Sequence, residues 1–325
     1  MTKLRLALLL MLPIGAWAAD PALLKLVMPD AKVIAGIQVD QTRNSLFGQY
    51  VLSHMRVDDA GFQAFIAQTG FDPRTDVSEI LIASNWESAD AGSRWLVMAR
   101  GSFDPGKIAS AASGNGITTV NFQGVDILVH SSPAKPEVQN AVAFFDSARA
   151  VMGDLASVKA AIERQKSLAP PSNDLVAKVA GLSSKNDFWF ATLVPVSEFA
   201  GAMPDPNLSG AMKGNLLAAI NEASGGIRFG DPVTISAEAI TRSEKDAQAL
   251  VDVVKFVAGM IQLNRQNNPA AGQVATLLDN LDCKTAGNVT TLSLAIPEQQ
   301  LEQMLDMMRQ QGRQSRKKPA SPPGN

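Results

Sequence analysis

Ile117-Thr118-Thr119-Val120-Asn121-Phe122-Gln123-Gly124-Val125-Asp126-Ile127-Leu128-Val129-His130 reads as two strands around a Gln-Gly turn. Both runs are rich in β-branched and apolar residues, and a two-residue turn holding Gly predicts a hairpin. Hairpins impose antiparallel pairing, so the fold class follows from how often the pattern recurs. A second hairpin is predicted at Ala141–Asp146 with Ala150–Gly153, and another at Cys283–Ala286 with Val289–Ile296 around Gly287-Asn288.

Between these runs the chain alternates to helical spacing. Upstream, strands are predicted at Val33–Val39, Val77–Ser84 and Arg94–Gly101, with helices near Asn44–Met55 and Asp59–Thr69. Asp104-Pro105 is an N-cap followed by Pro at the first helical position, opening a helix to Ser113. Leu155–Arg164 closes a first half, and Pro170-Pro171-Ser172-Asn173 is a loop before a short helix to about Gly181. The second half has a strand at Phe188–Val194, a helix at Ser209–Glu222 and strands at Gly226–Phe229 and Val233–Thr241. Gly225-Gly226 reads as a turn. Thr241 and Glu244 form a capping box for the long amphipathic helix Glu244–Leu263, and helices at Ala271–Leu281 and Glu298–Gln310 complete the set.

The expected class is therefore α+β, with two related βαββαβ(β)-type halves in ferredoxin-like order, mostly antiparallel sheets and helices on one face. Val33–Ile37 would match Phe188–Thr192, and Phe122–Ile127 would match Thr285–Thr290. Internal duplication explains this order; chance recurrence in an α+β chain explains it as well, and both stay open. The boundaries are residues 1–18 as a signal peptide, 19–169 and 170–311 as the two lobes, and 312–325 as a disordered basic tail.

Lys3 and Arg5, the apolar run Leu6–Ile14, the break at Pro13-x-Gly15 and Ala16-Trp17-Ala18 make up the signal peptide, with cleavage expected after Ala18. The apolar run is about half the roughly 20 residues a spanning helix needs. Cys283 is the single cysteine, so neither a lipidated N-terminus nor an intramolecular disulfide is available. General-route export to the periplasm or the exterior is expected, which excludes most nicotinamide, ATP-driven and nucleic-acid chemistry. No second membrane segment is read; Val253–Leu263 is too short and contains Lys255.

The 325 residues carry a net charge of −2 and are 46% apolar, enough for an ordinary hydrophobic core. Arg309, Arg313, Arg316, Lys317 and Lys318 follow the last acid, Asp306, so the body is more acidic than the whole and does not suit nucleic acid. The tail reads as a solvating segment whose partner chemistry is a weak, salt-dependent contact with an anionic surface.

Candidate chemistry is sparse. Asp126 and His130 share a strand face but lie roughly 13 Å apart, too far for Asp126 to orient the imidazole. His54 sits at a predicted helix end, where a cation is favoured. Ser132-Pro133-Ala134-Lys135 copies an S-x-x-K string, but prolines keep it off a helix and its companion elements are missing. Asp205-x-Asn207-x-Ser209-Gly210 imitates half a calcium loop, whose twelfth position is Leu216. Asp72, Asp76 and Glu79 are read as capping residues, and Trp86 and Trp95 flank a polar loop. The sequence assigns no catalytic, cofactor-binding or metal residue and no cofactor.

Leu96–Asp104, Gln123–Leu128, Phe144–Asp146 with Val151–Asp154, and Gly287–Leu292 resemble the repeating units of a group of secreted bacterial proteins of unknown function. The resemblance implies strand–helix–hairpin units over residues 30–310 and carries over no active site. The expected function is a non-enzymatic binding or interaction protein for a protein or envelope component. The alternatives are a carrier of an apolar ligand, or a hydrolase. A carrier requires an apolar pocket of several hundred Å³, and a hydrolase a nucleophile and base together in one cleft.

Overall fold

The Gln123-Gly124 turn closes its hairpin with both residues at positive φ, 52° and 83°, as a two-residue turn between right-twisted strands requires. Phe122 on β4 (Ile117–Phe122) pairs with Val125 on β5 (Val125–Ser132). The computed structural model describes residues 18–53, 60–87, 93–113, 116–132, 135–169, 173–198, 216–263, 265, 269–303 and 306.

The other strands are β1 (Val33–Gln38), β2 (Val77–Ser84), β3 (Trp95–Gly101), β6 (Lys135–Phe144), β7 (Arg149–Asp154), β8 (Phe188–Thr192), β9 (Ile220–Arg228), β10 (Val233–Thr241), β11 (Leu281–Ala286) and β12 (Val289–Ile296). The helices are α1 (Pro21–Leu24), α2 (Val39–Asn44), α3 (Leu46–Ser53), α4 (Ala60–Thr69), α5 (Pro73–Asp76), α6 (Pro105–Ala112), α7 (Leu155–Lys166), α8 (Asp174–Ser183), α9 (Glu244–Leu263) and α10 (Pro269–Leu278). Asp104 caps α6 where the sequence puts it, accepting from Lys107 N at 3.0 Å, and Asp154 accepts from Ser157 N at 2.8 Å. The start of α9 differs. Thr241 ends β10 and its hydroxyl donates to Ser243 O at 2.8 Å. The capping box is therefore made by Ser243, whose Oγ accepts from Asp246 N at 3.1 Å, and not by Thr241 with Glu244.

All twelve strands join one sheet, in the order β11-β12-β10-β9-β8-β1-β2-β3-β7-β6-β5-β4, and every pairing is antiparallel. The halves meet where β1 pairs with β8. Outward from that junction, β7 borders β3 as β12 borders β10. The β11–β12 hairpin thus takes the place of β6–β7, and not of β4–β5 as matching Phe122–Ile127 to Thr285–Thr290 would require.

A sheet shared by both halves has two faces to cover, and helices lie on both of them, not on one as expected. On one, Ile34, Leu81, Met98, Val151, Ala143 and Ile127 form a buried row under Leu23 of α1, Val158 and Ile162 of α7, and Leu175 and Val179 of α8. The alternation along β1 and β2 sets this face. Across the junction the same face turns polar, with Ser224, Ser236, Glu238, Thr291 and Ser293 in register. The opposite face carries α4 and α6 in the first half and α9 and α10 in the second, where Leu250 of α9 packs beside Ala223 and Ala239.

Three local expectations change. Ile220–Glu222 belongs to β9 and not to a helix over Ser209–Glu222, because this stretch finds ladder partners on β10; residues 209–215 lie outside the described set. Gly225-Gly226 lies inside β9 and not at a turn. A side chain at Gly226 would come within 2.3 Å of Asn186, so the pair serves close packing. The helix expected at Asn44–Met55 is found as α3, starting at Leu46, and a helix the sequence did not give, α2, precedes it. The two are divided at Ser45, which is extended and whose hydroxyl accepts from Gly48 N at 2.9 Å. The segment 19–31, given no element by the sequence, supplies α1 and much of the core. Residues 1–17, His54, Asp205–Gly210 and the tail cations Arg309, Arg313, Arg316, Lys317 and Lys318 lie outside the described residues.

Candidate functional site

On the face opposite the main core, α4 and α6 stand off the first half of the sheet and leave a groove of about 900 Å³. Gly61, Ala64, Phe65 and Gln68 of α4 follow i, i+3, i+4, i+7 spacing, and Ile108, Ala111 and Ala112 of α6 follow i, i+3, i+4, so each helix turns one face to it. Leu128, Val142 and Met152 supply the sheet wall. Phe65, Phe71, Phe103 and Phe144 form a chain of rings, with successive centroids 6.2, 5.4 and 5.5 Å apart. Such spacings are those of favourable aromatic contact, so the wall is aromatic as well as aliphatic.

Two polar residues enter the groove from the sheet. His130 and Asn140 face each other across β5 and β6, and Ile117 flanks His130 on β4. Both are exposed. Gln68 on α4 is shared with a polar depression lined also by Asp104, Lys107 and Ser110. Among the described lining residues none is Ser, Thr or Cys.

The remaining sequence candidates fall elsewhere. Asp126 accepts from Asn121 Nδ2 at 2.7 Å and is not a partner of His130. Ser132 ends β5 and Lys135 begins β6, so the S-x-x-K residues lie on successive strands and not on a helical turn. Asp72 caps α5 by accepting from Arg74 N at 2.9 Å and also holds the Arg74 guanidinium at 2.6 Å. The Arg74 hydrogen bond lowers the Asp72 carboxyl from its ordinary value. Asp76 accepts from Asp72 N at 2.7 Å.

Glu79 is not a cap. Its side chain is 1% exposed and points into the main core side of the sheet, where burial pushes its carboxyl up. Trp86 Nε1 donates to Glu198 across the two halves at 2.8 Å, and Trp95 lines the groove. Cys283 is buried, which raises its thiol.

Two further features were not legible as sites. Lys178 of α8 bridges Glu222 of β9 and Glu238 of β10, contacting Glu238 at 3.0 Å. Burial works against the Lys178 charge, yet the two carboxylates raise its pKa on balance. On α9, Phe256 is 64% exposed, with Met260 and Leu263 exposed on the same stripe. Among the described residues no three His, Cys, Asp or Glu side chains are placed to hold a metal, and no helix is long and apolar enough to cross a membrane.

No family model matches the chain, and no curated protein matches it. Among solved structures it is similar to crystal form I of TP0453, with a TM-score of 0.48 and 11% identity over 89% of this chain and 97% of that one.

Proposed function

We propose that the protein is an exported carrier of an apolar small molecule, held in the groove between α4, α6 and the sheet. The observation that carries this is the groove itself. Its volume of about 900 Å³ lies within the span of small-molecule sites, and its walls are aromatic and aliphatic with few polar groups. A ligand burying about 300 Å² of apolar surface there gains roughly 7 kcal/mol before the cost of immobilisation. His130 and Asn140 offer hydrogen bonds to a polar end, which suits an elongated molecule with one polar terminus. A hydrolase is disfavoured, because among the described residues no hydroxyl or thiol nucleophile lines the groove beside His130.

Titration with a dansyl-labelled fatty acid tests this. Saturable one-to-one binding with a dissociation constant at or below about 10 μM is expected. Absence of saturable emission enhancement removes the carrier.

A second reading, contact with a protein partner, has one observation in its favour: the Phe256, Met260 and Leu263 stripe on α9. It makes no use of the groove. Under that reading, Phe256→Glu abolishes a defined complex while fatty-acid titration is unchanged.

A further inference from the structure

The N-terminal segment is built into the fold from its first described residues. Ala18 is exposed, but Ala19 is 2% exposed and packs in the main core with Leu23, Leu26 and Val27. Ala19 N donates to Ser183 Oγ at 2.9 Å in a buried contact, and Ser183 Oγ donates in turn to Ala180 O. The next nitrogen along the chain, that of Asp20, donates to both Glu79 oxygens, at 3.1 and 3.3 Å. Consecutive residues are about 3.8 Å apart, so both nitrogens share one neighbourhood.

That neighbourhood is short of positive charge. Glu79 is almost wholly buried, and Asp20 adds a second carboxylate. The cation facing them is Arg100, which stands 3.4 Å from Glu79 and 3.5 Å from Asp20 and is itself one-third exposed. One long, shared contact is poor compensation for a buried carboxylate. Gln38, opposite Glu79 on β1, is neutral.

We propose that export processing completes a charge site inside the fold: cleavage after Ala18 leaves the Ala19 α-ammonium on Ser183 Oγ as the counter-charge of Glu79. This rests on the exported reading above and does not depend on the groove. The step is hydrolysis of the Ala18–Ala19 amide by a signal peptidase. The water oxygen goes to the Ala18 carbonyl carbon, the C–N bond breaks, and both water protons end on the Ala19 nitrogen. An amide that donated one hydrogen bond becomes an ammonium that donates three. The carbonyl side of that bond belongs to exposed Ala18, and its nitrogen side to buried Ala19. The mature fold thereby holds a contact that the precursor lacks.

The test uses the full chain exported with its leader from a bacterial host. N-terminal sequencing of the exported protein is expected to begin at Ala19. The processed protein, labelled at alanine, is then titrated by NMR beside Glu79→Gln and beside a chain that keeps Ala18 as its first residue. The Ala19 amine is expected to titrate at least about one unit higher than the terminal amine of either comparison, whose ordinary range is roughly 7.7–8.0. The chain keeping Ala18 is also expected to melt at a lower temperature, and it serves if Glu79→Gln does not fold. A first residue other than Ala19 overturns the processing itself. A start at Ala19 with equal titration in all three proteins overturns the charge site alone.

Discussion

Gly36 and Trp189 face each other across β1 and β8, and the indole of Trp189 lies where a side chain at Gly36 would be. A Cβ there would stand 2.2 Å from Trp189 Cζ2 and 2.7 Å from Cε2, and Trp189 is fully buried. The junction of the two halves is thus packed through an absent side chain. Gly36→Ala is expected to cost about 1–3 kcal/mol in chemical denaturation, because the ring must leave its place in a dense core. Trp189→Phe in the same chain should recover part of that loss. Stability of Gly36→Ala within about 0.5 kcal/mol of the parent contradicts the close approach.

Lys178 ties α8 to the polar face of β9 and β10 through Glu222 and Glu238. Lys178→Met leaves two carboxylates facing one another with their shared cation gone. A loss of about 1–2 kcal/mol is expected, read as a lower denaturation midpoint at low salt that shrinks at high salt. A midpoint unchanged at low salt removes the bridge from the account.

Glu79 sets a pH dependence whose sign follows from its burial. Desolvation raises its carboxyl above 4.5, against the opposing pull of the Asp20 amide and Arg100. Above 4.5 the folded chain keeps a proton that the unfolded chain has lost. The stabilisation is therefore full below that value and is lost as pH rises through the folded value. In the chain that still carries its leader, denaturation midpoints should fall over that interval, and Glu79→Gln should flatten the profile. A profile unchanged by Glu79→Gln contradicts this.

The hairpins and the Asp104 cap were legible because their signals are local. Gln123-Gly124 fixes a turn, Asp104-Pro105 fixes a helix start, and both are found as read. Glu244–Leu263 was equally legible from its period. Ile220–Arg228 was not, since its Ser and Gly residues suit a strand only between β8 and β10, where close backbone approach is needed. Leu23, Leu26 and Val27 carried an apolar signal, but their role depends on contacts with α7 and α8 far along the chain. The groove was hidden for a similar reason. Phe65, Phe71, Phe103 and Phe144 come from separate segments, and each alone reads as a core residue.

The groove bears the functional proposal, and Ala111 on α6 lines it without belonging to the buried core. Ala111→Trp puts an indole into the cavity while leaving the strands and their register alone. The most direct measurement is dansyl-labelled fatty-acid binding to the parent and to Ala111→Trp, with thermal melting recorded for both. Saturable binding by the parent is expected, with at least about tenfold weaker binding by the variant, a difference of about 1.4 kcal/mol, and closely similar melting temperatures. Equal binding by two equally stable proteins would place the ligand elsewhere and contradict the assignment of the groove.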